Sequence, residues 1–433
     1  MLIRPAKALR GKISLPGDKS ISHRAAMLSA VAHGETRIEN FASSADCAST
    51  VKCLESLGVS IKRDGSTLTV NGVGKTGFRA SEIPLDCGNS GTTMRLLSGL
   101  LAGQSFESVL VGDESLQKRP MRRVADPLNA MGATVELTAG HAPVKIAGRN
   151  PLKDVEYQLP VASAQIKSCV LLAGLNSDGV TAVIEPTPTR DHTERMLRWF
   201  GVQVGEEETS EGKRISVSGD SELTARDLKV PSDISSAAFF LAAAAGLPGS
   251  EIEIGNVGLN PSRTAIVDVL RGLAVRLEVL DRRDISNEPV GTIRVRGGLG
   301  TGHGTTPNRV AGRVIANLID EIPILAVFGT RVQGGIEIRD AAELRHKESD
   351  RIAAVAENLR RMGAAVEEFP DGLHVRESKL KGATVDSFGD HRIAMAFAIA
   401  GLFAEGETEI IGAESAAVSF PEFFDVLGSV TEE

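Results

Sequence analysis

The sequence predicts an α/β protein of two domains. Each domain is built from three repeated units, with buried helices as the interior and sheets as the outer walls. Three observations predict this. One pattern recurs six times in the 433 residues: a polar turn, an apolar stretch rich in small residues, and a strand-like run. The helix that opens each unit is apolar on every side, and such a helix is buried on every side. The chain is also too long for one ordinary core, so two domains of roughly 200 residues are the default.

The six turns are Pro16-Gly17-Asp18-Lys19-Ser20, Gly88-Asn89-Ser90-Gly91-Thr92, Ala162-Ser163-Ala164-Gln165, Pro231-Ser232-Asp233-Ile234-Ser235, Ile319-Asp320-Glu321-Ile322-Pro323 and Phe388-Gly389-Asp390-His391-Arg392. They lead into the apolar runs 25–32, 96–102, 169–175, 237–246, 324–329 and 393–404. Ala and Gly in these runs suit close packing of helix on helix. A second, amphipathic helix follows in each unit, as in Ile352, Val355, Leu359 and Met362 with Arg351, Glu357, Arg360 and Arg361 on the wet side. These helices end near Leu57-Gly58, Met131-Gly132, Phe200-Gly201, Leu273-Ala274, Met362-Gly363 and Leu427-Gly428. Alternating runs such as 66–70 and 291–295 supply the strands. Units of this length are βα-type modules of a compact fold, not solenoid repeats.

The domain boundary is placed at Pro231, which breaks the element before the fourth unit. The opening strand, 1–16, is expected to complete the C-terminal domain, since termini often lie close together. This gives an N-terminal domain of 17–230 and a C-terminal domain of 1–16 with 231–433. The two crossings near 16 and 230 would form a hinge.

Composition narrows the function. A hydrophobic share of 42% with 24% charged residues is ordinary for a globular protein. Aromatics are only 4%, with Trp199 and Tyr157 the sole Trp and Tyr, so the core must be Ala, Val, Leu and Ile. Few aromatics and a net charge of −8 argue against nucleic acid as a partner. Cys47, Cys53, Cys87 and Cys169 form no C-x-x-C pair and read as reduced, mostly buried thiols. The N-terminus has no signal-peptide core. The longest apolar run, 237–247, is far short of the roughly 20 residues that span a bilayer. A soluble, cytoplasmic protein with no membrane partner is expected.

In this acidic chain the cations Lys19, Arg24, Arg95, Lys167, Lys347, Arg351, His391 and Arg392 lie at or just inside helix starts. Helix N-termini carry unpaired N–H groups and the positive dipole end, so these places suit small, multiply anionic ligands. Lys19 offers a point charge, and Arg24 can fork onto phosphate or carboxylate. Gly88 and Gly91 let a ligand approach the backbone closely. Asp320-Glu321 and Lys347-Glu348-Ser349-Asp350-Arg351 supply candidate acids and bases. Each motif alone also reads as a capped helix or a solvated ion-pair cluster. Gly72-Val73-Gly74-Lys75-Thr76 resembles part of a phosphate loop, but Thr69 stands where a Gly is needed and no helix pattern follows. His192 and Glu194 find no second His/Cys cluster, so no metal site is expected.

Taken together, the motifs resemble the 5-enolpyruvylshikimate-3-phosphate synthase family (3-phosphoshikimate 1-carboxyvinyltransferases), within the enolpyruvyl transferases. The resemblance runs end to end: Leu-Pro-Gly-Asp-Lys-Ser-Ile-Ser-His-Arg at 15–24, Gly-Asn-Ser-Gly-Thr-Thr-Met-Arg at 88–95, Gln-Lys-Arg-Pro-Met at 117–121, and Ala-Ser-Ala-Gln-Ile-Lys-Ser at 162–168. It continues with Thr-Arg-Asp-His-Thr-Glu at 189–194, Asp-Glu-Ile-Pro at 320–323, Glu-Leu-Arg-His-Lys-Glu-Ser-Asp-Arg at 343–351 and Gly-Asp-His-Arg-Ile-Ala-Met at 389–395. It implies a two-domain inside-out α/β barrel, or prism, each domain three βαβαββ units, with the active site in the cleft between domains.

The resemblance also implies the reaction. The enolpyruvyl group of phosphoenolpyruvate passes to the 5-hydroxyl of shikimate 3-phosphate and phosphate leaves, a step of the shikimate pathway to chorismate and aromatic amino acids. No cofactor is implied. Carried over by motif, Lys19, Ser20, Arg24, Ser163, Gln165, Arg190, Asp320 and Lys347 hold shikimate 3-phosphate. Lys19, Gly91, Arg119, Gln165, Arg351 and Arg392 hold phosphoenolpyruvate. Asp320 is the proton acceptor, Glu348 handles the methylene proton, and Lys19 joins them as a catalytic residue. Asn89, Thr92, Arg95 and His391 support the site. Glyphosate is implied as an inhibitor competing with phosphoenolpyruvate, with Gly91 as the relevant position, and the protein is expected to be a monomer. One departure is Val418, where some relatives carry a phosphate-binding Lys. The related UDP-N-acetylglucosamine transferases usually have a reactive Cys in the loop that here reads Ser115-Leu116-Gln117-Lys118-Arg119. A non-catalytic anion-binding scaffold would have no need of both Asp320 and Glu348.

Overall fold

The structure, a computed structural model, describes residues 1–299 and 308–432. The chain divides into two compact units. One is Gly17–Val230 together with Asp284–Glu288. The other is Met1–Pro16, Pro231–Arg283 and the chain from Pro289 onward. The five residues 284–288, which the sequence reading leaves with the second half, thus belong to the first unit. They are the tip of a long hairpin, Val275–Ile285 and Glu288–Leu299.

The unit of 17–230 contains three four-stranded sheets and three buried helices, Lys19–Val31, Gly91–Ala102 and Ala164–Gly174. In the third sheet the order is Glu156–Gln158, Val180–Glu185, Gly212–Ser218, Val204–Thr209. Its first pair is parallel, bridged by the buried helix, and the other two pairs are antiparallel. The second sheet, from Leu85–Asp86 to Thr134–Thr138, repeats this pattern. The first sheet borrows its outer strand from the end of the unit, where Leu228–Lys229 runs parallel to His33–Glu39. Strands such as His141–Ala147 alternate in burial, presenting one face to the helices. The amphipathic helices Ala45–Ser56, Arg122–Ala130 and His192–Trp199 complete the units.

The other unit is built alike around Ile234–Gly246, Ile322–Gly329 and His391–Phe403, every residue of which is buried. Its sheets have five, four and three strands. The chain ends meet here: Leu2–Ile3 pairs with Thr408–Ile411, and Thr431–Glu432 pairs with Ala8–Ile13. Each unit has its own apolar cluster, dominated by Ala, Val, Leu and Ile as the scarcity of aromatics requires.

The polar turns start the buried helices by capping them. Asp18, Ser90, Ser163, Asp233 and Asp390 each accept a backbone N–H from the first turn of the helix they precede. The Ile322–Gly329 helix has no such side-chain cap and instead carries Pro323 in its first turn, where the missing N–H costs nothing. All six N-terminal ends therefore carry polar and charged groups into otherwise apolar surroundings.

Candidate active site

In the 17–230 unit, the three buried helix starts bring most of the expected binding residues into three hydrogen-bonded groups. Lys19, the first helical residue, pairs with Asp46 at 2.8 Å. Asp46 is a partner the sequence did not signal. It lies in the first turn of the neighbouring helix, after the Ser44 cap. Around the second helix start, Arg95 donates to Gln165 Oε1 at 2.6 Å, and Gln165 donates to Thr92 Oγ1 at 2.9 Å. Arg119 donates to Asn89 Oδ1 at 2.8 Å, and Asn89 donates to Asp113 at 2.8 Å. Gly91 stands between these pairs. A Cβ there would lie 3.0 Å from one Arg95 nitrogen and 3.2 Å from one of Arg119, so two guanidinium groups converge on the bare Cα. Ser163 is the N-cap of its helix, accepting from Ile166 N.

Beneath this layer is a buried hydrogen-bond chain. His23 Nδ1 meets Thr50 Oγ1 at 2.7 Å, Thr50 meets Thr93 Oγ1 at 2.7 Å, and Thr93 donates to Ser90 Oγ at 2.8 Å. Burial first, then the nearby Lys19 and Arg24 charges, push the His23 pKa well below its ordinary value, so the ring is neutral. Arg24 is buried as well. Its Nε donates to Thr193 Oγ1 at 2.7 Å, and its terminal nitrogens donate to Ser20 O and Ser168 Oγ. Burial lowers its pKa to about 10, with Glu194 opposing and Arg190 adding to the fall.

One expectation from the helix-start reading is corrected here. Lys167 does not present its charge to a ligand. It has no exposed surface and pairs with Glu194 at 2.6 Å and Glu185 at 3.1 Å. These carboxylates outweigh burial and raise its pKa, keeping it charged. Lys167 stands one turn into the helix, where every residue from Ile166 to Gly174 is buried, so its ammonium lies in the interior. His192 Nδ1 meets Glu288 at 2.7 Å while Glu194 holds Lys167.

In the other unit, Arg351 opens its helix beneath Asp350, which caps it through Ala353 N. Arg351, expected on the wet side of its helix, is instead 1% exposed, because a ring of carboxylates from neighbouring elements closes over its side chain. Its Nε donates to Asp390 Oδ2 at 2.8 Å, one terminal nitrogen to Glu348 Oε2 at 2.6 Å, and the other to Asp320 Oδ1 at 3.4 Å. Burial alone would lower its pKa, but Asp390 and Glu348, then Asp320, outweigh it and raise it. Lys347 lies 3.8 Å from Asp320. Asp390 also caps the His391–Phe403 helix through Arg392 N and accepts from Ser349. Arg392 sits at the start of that helix, 4.0 Å from buried Glu321, which accepts from Ser235. The sequence reading gives Asp390 and Ser235 no part in this network, because their contacts depend on which helix start lies beside theirs. Val418 ends a short 3-10 turn, half-buried and without charge.

Among the described residues no cluster of His, Cys, Asp and Glu is suited to a metal ion, and no helix is long and apolar enough to cross a membrane. All four cysteines are buried, with Cys47 and Cys169 pushed up to about 12 chiefly by burial. Neither of these two has the thiolate character of a reactive nucleophile.

Two half-sets of groups thus stand on helix starts: cations with amide and hydroxyl groups in one unit, and a carboxylate–arginine knot in the other. The sequence model of the EPSP synthase (3-phosphoshikimate 1-carboxyvinyltransferase) family matches residues 3–427. The chain belongs to this family. It is 52% identical over 434 residues to the 3-phosphoshikimate 1-carboxyvinyltransferase of Salinibacter ruber, covering 99% of both chains. The enzyme of the same name from Pelotomaculum thermopropionicum is 53% identical over 429 residues, covering 98% of this chain and 97% of its own. Among solved structures, an EPSP synthase from Acinetobacter baumannii superimposes with a TM-score of 0.87 at 42% identity, covering 99% of this chain and 98% of its own. The α/β architecture expected from the six repeats is the architecture of that family.

Proposed function

We propose that Asp320, Glu348 and the cationic groups of both units perform the enzyme's reaction, the transfer of the enolpyruvyl group of phosphoenolpyruvate to the 5-hydroxyl of shikimate 3-phosphate. The hydroxyl oxygen attacks C2 of phosphoenolpyruvate while C3 takes a proton from Glu348, and the hydroxyl proton passes to Asp320. The tetrahedral adduct then expels phosphate, which takes the proton from Asp320. Glu348 recovers a proton from the new methyl group and the double bond returns. Each carboxyl ends as it began.

The observation that carries this reading is the bracket on Arg351. One buried guanidinium holds both carboxyl groups, at 3.4 and 2.6 Å, so two proton-transfer groups are fixed side by side at a helix start. Shikimate 3-phosphate takes Lys19, Ser20, Arg24, Ser163, Gln165, Arg190, Asp320 and Lys347. Phosphoenolpyruvate takes Lys19, Gly91, Arg119, Gln165, Arg351 and Arg392. Asn89, Thr92, Arg95 and His391 support them. Presenting Arg24 to a ligand requires exchanging one of its three internal hydrogen bonds. The reading also makes glyphosate a competitor of phosphoenolpyruvate and treats the enzyme as a monomer of the cytoplasm. The four reduced thiols agree with that compartment.

The test is kinetic. Asp320→Asn and Glu348→Gln should each lower kcat by about 10²–10⁴-fold, the usual worth of positioned proton transfer, while calorimetry still shows shikimate 3-phosphate binding. Near-normal turnover in either variant removes that residue from the mechanism.

A further inference from the structure

The segment from Glu185 to Arg195 is tied down more densely than its exposure requires. Glu185 Oε2 accepts both the backbone N–H of Thr189, at 3.1 Å, and its hydroxyl, at 2.7 Å. Asp191 pairs with Arg195 at 2.8 Å, and Arg195 donates to Asn287 O at 3.2 Å. His192 meets Glu288, Thr193 accepts from Arg24, and Glu194 holds Lys167. Arg190 sits in the middle of this anchored run, half-buried.

At the centre is Lys167, fully buried between Glu185 and Glu194, whose side chains are 3% and 2% exposed. Its three members stand on three elements. Lys167 is on the helix that carries Ser163 and Gln165, Glu185 ends the strand Val180–Glu185, and Glu194 is in the first turn of His192–Trp199. Ser168, beside Lys167, meets Thr193 Oγ1 at 2.6 Å and accepts from Arg24. Counting Arg24, two cations and two carboxylates balance in the interior, where an unpaired charge would be costly.

We propose that Lys167, Glu185 and Glu194 are positioning residues of the shikimate 3-phosphate subsite, acting through Thr189 on Arg190 and through Thr193 on Arg24. This rests on the assignment of Arg190, Arg24, Ser163 and Gln165 to that substrate. The knot locks the helix bearing Ser163 and Gln165, the loop bearing Arg190, and the partner of Arg24 in one register. A displaced binding group loses its contact while the remaining groups stay in place. The groups assigned to phosphoenolpyruvate, apart from the shared Lys19 and Gln165, lie on other elements, so the effect is selective.

The experiment is steady-state kinetics on the full-length enzyme, varying each substrate with the other saturating, together with thermal melting. Thr189→Val removes one hydrogen bond to a buried carboxylate and leaves the backbone bond. It should raise KM for shikimate 3-phosphate about tenfold with KM for phosphoenolpyruvate unchanged. Lys167→Met should do more, and Lys167→Arg should recover part of the loss. An unchanged KM for shikimate 3-phosphate with only a lower Tm overturns the proposal, as does an equal rise in both KM values. Arg190→Ala separates the two readings. If it raises that KM while Thr189→Val does not, the positioning role fails and the site assignment stands. If Arg190→Ala has no effect, the site assignment itself falls, and this inference with it.

Discussion

At Gly91 the difference between a hydrogen and a methyl group acts on two arginines. The added Cβ would press on the ends of Arg95 and Arg119, which are flexible, so Gly91→Ala should fold normally but shift both guanidinium groups. Glyphosate is slightly longer than phosphoenolpyruvate, so it should lose more. The ratio of its inhibition constant to KM for phosphoenolpyruvate should rise in Gly91→Ala, and an unchanged ratio would show that Gly91 is not the discriminating contact. His23 makes a prediction about pH. Its folded pKa lies below the unfolded value of about 6.5, because burial and the charges of Lys19 and Arg24 disfavour the cation. The unfolded chain therefore takes up a proton as pH falls through about 6.5, and the folded chain does not. The stability His23 contributes is fully present above that pH and declines below it by about 1.4 kcal/mol per unit. Subtracting unfolding free energies of His23→Asn from wild type between pH 8 and 5 isolates this slope. A flat difference would mean that His23 titrates normally in the fold.

The buried helices show why small residues recur at the scale of elements. Gly99, in Gly91–Ala102, faces Cys169 of Ala164–Gly174, and a Cβ at Gly99 would lie 2.3 Å from the Cys169 carbonyl oxygen. That atom is backbone inside a second helix, so it cannot step aside cheaply. Gly99→Ala should destabilise by about 1–3 kcal/mol despite its better helix propensity, read as a lower denaturation midpoint with unchanged m-value. A stabilised variant would show that the helices can part without cost. The helices themselves were legible in the sequence because their signals are local. Apolar residues on all sides of 237–246 and 393–404 announce burial, and the Asp or Ser before five of the six starts announces the cap. The long hairpin at 275–299 was legible only in part, since nothing local says that its tip, 284–288, belongs with residues 17–230.

For the whole molecule, the two units differ in continuity. Residues 17–230 form one unbroken stretch with their own core and three complete sheets, the first closed by Leu228–Lys229 from the end of the stretch itself. Expressed alone, this stretch should fold with a single cooperative thermal transition, its calorimetric and van't Hoff enthalpies agreeing. Its Tm should fall below that of the full enzyme's matching transition, because it loses the contacts of Glu288 with His192, Ser286 with Lys229 and Asn287 with Arg195. A broad, non-cooperative melt would refute its independence. The fragment should also be without turnover, since Asp320 and Glu348 lie outside it.

The sequence alone determined the six-unit plan, the buried helices, the capped starts and the identity of the groups that gather there. Those follow from spacing and composition within a dozen residues, which the chain carries wherever it folds. The tertiary structure decided which way each helix-start charge faces. Lys19 meets Asp46, Lys167 is closed in by Glu185 and Glu194, and Arg351 is ringed by Asp320, Glu348 and Asp390. In sequence each of these three cations is a charge at or just inside a helix start, and nothing local says which way it faces. Coulomb interaction and burial act through space over a few ångströms, so their roles are set by carboxylates from elements that meet them only in the fold.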